Sequence, residues 1–387
     1  MSGNAKAPAI GVSNPAYWIG MVDEIERPYS QFRDIFLGGS QPILLPTETI
    51  DLGRKFGGRM MAPLQVSPSD PTPVGRRSRG IERYDIPYIN LSQDQNVDRL
   101  MFDTFLTEQG YEQDSYNEAL HNSGISESLI DDMNYMLSMV ENREEKMVAD
   151  AMFHSRIEFI EDGYEAFELD FPRDATATAA LGAGLNWDDV DRADEDSIAA
   201  TSPLTTSMEA VRIMTKLDRY SPTHVFLSGG AVSDAFTSHP ALKGTLDDRR
   251  RDASSNMDLF DRLSEQGGRF LGRLRGLEYW EFNAEVEAFT GGTETFLKPK
   301  TAYYMHLGPA APRRMYYGAI PNAKISLGRD ATSLSPSDLT RLRPTPLRRF
   351  SDVMVSRNGL SISSTLQTRP LPMNLKPNST VEYKVLA

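Results

Sequence analysis

The chain has 387 residues, 40% of them hydrophobic and 9% aromatic, enough apolar mass for two or three domains with cores of their own. It contains no cysteine, which excludes disulfides, thiolate metal sites and cysteine nucleophiles together. A net charge of −13 argues against a protein whose main task is gripping nucleic acid, though not against a container that encloses it.

No apolar run reaches the length that crosses a bilayer, and the N-terminus lacks the continuous apolar stretch of a secretory signal. The sequence therefore predicts a protein that is soluble and cytosolic at synthesis, with no membrane contact. Residues 1–30 are sparse in periodic pattern and read as an arm. Tyr29, Phe32, Ile35 and Phe36 then fall at helical spacing, and Gly38-Gly39 is a stop signal. This predicts a short amphipathic helix, docked either on a neighbour or on its own domain's core.

Two strand-like ends, 43–52 and 84–91, flank a middle rich in Pro, Gly, Ser and Arg. Pro63, Pro68, Pro71 and Pro73 argue against both a helix and a central strand there. What remains is a long two-stranded excursion with too little apolar content for a core. Arg76, Arg77, Arg79 and Arg83 near its tip point to contact with an acidic surface; a solvated loop is the alternative.

The strongest helical pattern follows. Leu129, Ile130, Met133, Met136, Leu137, Val140, Met147, Val148, Ala151 and Met152 make one face at a 3.6 period, interrupted around Glu144. The spacing predicts a helix over about 127–153, roughly 35–40 Å long, with Ser128 and Asp131 as a capping box. Its methionine stripe reads as core packing. Beyond it, Asp162-Gly163 turns a hairpin in which Phe167, Leu169 and Phe171 alternate onto one face. Residues 175–200 become Ala/Gly-rich and then acidic, and predict a loop or domain junction.

From about 207 to 320 helix and strand patterns alternate, as in an α/β or α+β domain. Helices are predicted over 207–217, 231–246 and 256–268. Strands are predicted over 224–229, 277–289 and 295–308, with Gly291-Gly292 turning between the last two. A basic, proline-containing connection at 341–350 leads into a strand-rich tail.

Chemistry is hard to find in this pattern. The five histidines, His121, His154, His224, His239 and His306, do not pair at metal-ligand spacing. The turn at 228–234 lacks both the GK[ST] ending of a phosphate loop and the third glycine of a dinucleotide fingerprint. The acidic run from Asp189 has Ala193-Asp194 where a calcium loop needs its glycine, and Ala200 where it needs glutamate. No catalytic, cofactor or metal residue emerges.

The order of these elements resembles the major capsid proteins of tailed bacteriophages, with their HK97-like fold, and most closely the phage lambda major head protein family. Residues 27–36 look like that family's aromatic N-terminal helix, 47–66 like the lead into its E-loop, and 137–152 like its spine helix. The stretch 224–250 is the most specific. There the strand at 225–227, Phe236, Lys243, Leu246-Asp247 and Arg249-Arg250 are similar to the family's pattern.

The resemblance implies an α+β chain with an N-terminal arm (1–42), an E-loop (43–92), a P-domain (93–200) holding the spine helix, an A-domain (201–335) and return strands (336–387). It implies a non-enzymatic major capsid protein that self-assembles through hexamers and pentamers into an icosahedral head enclosing double-stranded DNA. Such a subunit belongs to the virion and is assembled in the host cytoplasm. Its implied partners are copies of itself, a decoration or cement protein, a scaffolding protein and a portal, with weak contact to packaged DNA and no cofactor. Arg76, Arg77, Arg79 and Arg83 become inter-subunit contacts, Tyr29, Phe32 and Phe36 dock the arm, and Leu129, Met133, Met136, Leu137, Val140 and Val148 pack the spine.

Gly38, Gly39, Gly57 and Gly58 are candidate hinges for non-equivalent positions. Some members of the wider fold lock neighbours by lysine–asparagine cross-links from the E-loop. No lysine occurs between Lys55 and Lys146, so non-covalent locking is expected here. Two other readings stand beside this one: an encapsulin-like cargo shell, and an α/β enzyme centred on 207–320.

Overall fold

A computed structural model of the chain describes residues 31–38, 40–55, 79–96, 118–160, 166–182, 184–242, 268–287, 291–308, 313–322, 343–355 and 360–387. The first described element is helix α1 (Gln31–Leu37). It is closed by Gly38, whose φ of +52° is left-handed backbone that a side chain would strain.

Strands β1 (Ile43–Leu44) and β2 (Thr49–Lys55) replace the single strand expected over 43–52. Pro46 lies between them and cannot donate to a ladder. β2 pairs antiparallel with β3 (Arg79–Asp85), Thr49 opposite Asp85 and Lys55 opposite Arg79. Pro87 divides the second expected strand in the same way, and the chain resumes as β4 (Ile89–Asn96).

Helix α2 (Glu118–Ala149) has 32 residues, which at 1.5 Å per residue is roughly 48 Å. It starts earlier than the predicted 127, so Ser128 and Asp131 lie inside it and not at its N-terminus. Extending a helix that already exists costs far less than nucleating one, which is why it runs past its apolar pattern. It ends in a π-turn (Asp150–His154), followed by Ser155 at φ +55°. The expected hairpin is β5 (Arg156–Phe159) with β6 (Phe167–Asp170), Phe159 opposite Phe167.

Residues 175–200 are more than the predicted loop. A 3-10 turn (Ala175–Ala177) leads into β7 (Thr178–Ala180), and the acidic run ends in helix α3 (Glu195–Ala200). Asp194 caps that helix by accepting from the Asp196 amide at 3.0 Å, so the acidic residues serve its N-terminus. Helix α4 (Pro203–Asp218), strand β8 (His224–Ser228) and helix α5 (Gly229–Ser238) follow. α5 stops short of the predicted 246 because His239 precedes Pro240, which disfavours helical backbone. The helix predicted over 256–268 falls outside the described residues, apart from Gly268, which opens β9 (Gly268–Leu274).

The remaining strands are β10 (Leu277–Phe282), β11 (Glu285–Glu287), β12 (Thr293–Thr295), β13 (Thr301–Met305), β14 (Arg313–Tyr317) and β15 (Ala319–Ile320). Then come β16 (Thr345–Pro346), β17 (Arg349–Val355), β18 (Ser361–Thr368), β19 (Pro370–Asn374) and β20 (Thr380–Lys384). The strand expected over 277–289 is thus two, and Pro299 separates β12 from β13 within the stretch expected over 295–308.

Among the described residues the largest sheet has six strands in the order β7-β20-β13-β8-β10-β9. It is buried on both faces and divides two cores. Val225 and Leu227 of β8, Tyr279 of β10 and Tyr304 of β13 face Ala210 and Met214 of α4 and Val232 and Phe236 of α5. The alternate residues Phe226, Trp280, Phe282, Tyr303 and Met305 face the other way, onto the end of α2 and onto α1. This sheet draws β7 from 93–200, four strands from 201–335 and β20 from the tail.

A third core lies under the long helix. Leu129, Met133, Met136, Leu137 and Val140 pack on Val353, Ile362 and Leu366 of the sheet β17-β18-β4. Val148, from the same predicted stripe, belongs instead to the core shared with α1. One apolar helix face therefore serves two cores in succession.

Candidate assembly surfaces

The boundary between those two cores is where charge enters. Glu141 and Glu144 sit on the buried side of α2, at 3% and 0% exposure. Arg349, at the start of β17, donates to Glu141 at 2.8 Å and to Glu144 at 3.0 Å. Arg33 of α1 donates to the same Glu144 oxygen at 3.0 Å. Burial opposes the charge on Arg349, but Glu144 and Glu141 outweigh it and hold the guanidinium more basic than an ordinary arginine. Two cations and two anions so close the gap in the apolar stripe, and they tie three distant segments together.

Glu145 completes the junction. It accepts the backbone amides of Phe32 and Arg33, the latter at 3.1 Å, and so caps the N-terminus of α1. Phe32 and Phe36 are fully buried. The Phe32 ring lies 4.4 Å from Phe282, 5.3 Å from Phe153 and 5.5 Å from Phe296. Of the two dockings left open for this helix, the described residues take the one on the chain's own core. Tyr29 falls outside the described residues.

The far end of the helix–sheet contact is also closed by polar groups. Gln93 and Gln95 of β4 both donate to Asp132 of α2, Gln93 at 2.7 Å. Burial, and then Asp131, push the Asp132 carboxyl up from its ordinary value. With a polar clamp at each end, α2 has one rotation and one height on this sheet.

At the other end of α2, the π-turn is held from outside. Arg173 donates to the Phe153 carbonyl at 2.6 Å and pairs with Glu382 of β20 at 3.4 Å. Asn374 donates to the Ala151 carbonyl at 3.3 Å. Lys146 reaches the Thr295 carbonyl at 2.9 Å, pinning the β11–β12 hairpin to the helix.

The extended hairpin has an inner and an outer face. Ile50 is buried and Tyr84 packs against the core, whereas Asp51 and Arg83 are exposed. Arg83 donates to both Asp51 oxygens, at 2.7 and 3.0 Å, across the strand pair. It is the one predicted arginine whose side chain is described, and it is already engaged within its own hairpin. Arg79 stands opposite Lys55 in the ladder, while Arg76, Arg77, Gly39, Gly57 and Gly58 lie outside the described residues. Gly38 acts as a helix cap. Arg33, Glu145, Arg173 and Arg349 were not among the residues read from sequence, and the one hint of them was the break around Glu144.

Among the described residues no cluster of three or more His, Asp or Glu is placed to hold a metal ion, and no helix is long and apolar enough to cross a membrane. The family described as phage major capsid protein E matches residues 18–385 of this sequence. The chain belongs to that family.

It is a capsid shell protein, not an enzyme, and it assembles with copies of itself into the virion's shell. A prophage capsid protein from E. coli CFT073 is similar in structure, with a TM-score of 0.66 at 12% identity, over 97% of this chain and 99% of that one. That likeness fixes the fold, which is the HK97-like fold expected from the sequence. Weaker likenesses are a phage-related protein of Bordetella bronchiseptica RB50 (TM-score 0.45, 12% identity, 95% and 96% covered) and the capsid of Myoviridae phage XM1 (0.41, 10%, 94% and 94%). No curated protein matches the capsid protein in sequence.

Proposed function

We propose that this capsid protein closes into hexamers and pentamers that tile an icosahedral head around double-stranded DNA. The observation that carries the reading is the family match over nearly the whole chain, 18–385. Identical subunits meeting by heterologous contacts form rings, and rings of five and six tile a closed shell. In this reading the part of the arm (1–42) that precedes α1 and the hairpin (43–92) clamp neighbours, the segments 93–200 and 336–387 carry the spine, and 201–335 faces the ring axis.

A two-stranded hairpin without a core is marginal in water and gains stability by lying on another subunit. Arg76, Arg77, Arg79 and Arg83 supply its inter-subunit contacts, non-covalently. A decoration protein reinforces the shell, and a scaffolding protein and portal direct its assembly in the host cytoplasm. The net charge of −13 keeps contact with the enclosed DNA weak.

Negative-stain microscopy with light scattering on the purified chain tests this reading. Rings of five or six, shells or tubes are expected, alone or with the scaffolding protein supplied. A monodisperse monomer under both conditions overturns it.

A further inference from the structure

His239 stands between two helical segments and serves both. Its backbone closes α5, the amide bonding the Phe236 carbonyl, and Pro240, Ala241 and Leu242 then begin a further helical turn. The residue is 1% exposed, and its ring Nδ1 accepts the Ala241 amide at 3.2 Å. That is the work of an N-cap, a side-chain acceptor for an early helix amide, with proline at the first helical position. On the other side of the ring, Nε2 lies 3.2 Å from the hydroxyl of Thr201, at the corner between α3 and α4.

These contacts fix where the ring carries its proton. An accepting Nδ1 leaves the single proton of a neutral imidazole on Nε2, which donates to Thr201 Oγ1. That hydroxyl donates in turn to the Ser197 carbonyl at 2.8 Å. A second proton would set a ring N–H against the Ala241 amide and put a cation at a helix N-terminus, the positive end of the dipole. His154 and His224 each have a carboxylate to offset such a charge, at 3.0 and 3.2 Å. Among the described residues His239 has none. Glu195 and Asp196 of α3, Glu209, Arg212 and Lys216 of α4 and Asp234 of α5 are exposed, and burial alone lowers this imidazole from its ordinary value of 6.5.

We propose that His239 is a proton-operated cap: neutral, it ties the turn at 240–242 to the α3–α4 corner, and protonated, it releases both. The device lies within one subunit and needs no neighbour, so it stands or falls apart from the shell reading. The folded ring resists its second proton. The stabilisation is therefore complete above pH 6.5 and is lost as pH falls through the lower value of the folded ring.

Thermolysin cleavage of the purified chain at pH 7.5 and pH 5.5, normalised at each pH to the denatured chain, tests the cap. Cleavage within 197–201 and 239–242 should rise up to about tenfold at the lower pH, ahead of cleavage in β8 or β13. That factor is the linkage for a group of ordinary value 6.5 that stays neutral when folded. His239→Asn keeps a side-chain oxygen for the Ala241 amide but takes no proton, so its cleavage should be equal at both pH values. His224→Gln should leave the rise intact. Nitrogen-15 spectra of the unaltered chain at pH 7.5 should show the His239 ring protonated at Nε2. A ring protonated at Nδ1, no rise in the unaltered chain, or the same rise in His239→Asn overturns the inference.

Discussion

Glu144 of the long helix and Arg349 of the return strand lie 3.0 Å apart, joined across more than half the sequence and sealed from solvent. Their bond is part of a neutral quartet with Glu141 and Arg33, in which each charge is compensated only while all four are present. Buried ion pairs add little net stability over apolar packing, but losing one partner strands the others.

Glu144→Gln should therefore destabilise the subunit by about 3 kcal/mol or more in urea denaturation. Replacing all four residues by apolar ones of matching volume should cost less than that single change. Equal stability of Glu144→Gln and the unaltered protein would mean that the quartet is solvated.

Phe32 anchors α1 in a cage of aromatic rings. Phe32→Ala should cost about 3–5 kcal/mol if its cavity stays open. Because α1 is a separate short helix, the loss should appear first as proteolytic cleavage around residues 31–38 ahead of global unfolding. Unchanged protection of this segment would place its anchor elsewhere, in Glu145.

Arg173 is buried, and it satisfies a carbonyl that the π-turn leaves without a helical partner. Arg173→Ala should cost about 3 kcal/mol, since it bares both the Phe153 carbonyl and one side of Glu382. Hydrogen exchange should rise at residues 150–155 before it rises in β20. The reverse order would show that Arg173 serves the sheet and not the helix end.

Burial pushes the hydroxyls of Tyr279, Tyr317 and Tyr383 up to about 12 from an ordinary value of 10. Each is raised in the folded state, so its contribution is fully present below pH 10 and is lost as pH climbs through 12. Arg313 works against this trend. Its guanidinium is lowered by burial to about 10, so its penalty eases above that pH. Burial also raises Tyr303 and Tyr304 and also lowers Arg173, so five buried tyrosines against two buried arginines predict net alkaline unfolding above pH 10. Phenolate absorbance should rise in one cooperative step together with loss of the circular dichroism signal; gradual ionisation without unfolding would contradict it.

The sequence showed most of the elements and few of their boundaries. Periodicity of 3.6 marked α2, and Asp162-Gly163 marked the β5–β6 turn, because these signals are local and arise from the backbone's own geometry. Strand limits at Pro46, Pro87 and Pro299 were equally local and went unread, because strand-forming residues stand on both sides of each proline. The charged residues were unevenly legible. The arginines of the extended hairpin stand out by composition, whereas Arg33 and Arg349 look like any surface cation until their partners are known.

By itself the sequence determined the secondary structure of the long helix, the absence of thiol chemistry and the family to which the chain belongs. Only the tertiary structure decided that α1 folds onto its own subunit, that β20 threads between β7 and β13, and that Glu141 and Glu144 are interior residues. The division has a physical origin. Helix period and turn chemistry depend on neighbours a few residues away, but the environment of a carboxylate depends on whatever the fold brings beside it. For Glu144 that neighbour is Arg349, which no window along the chain could supply.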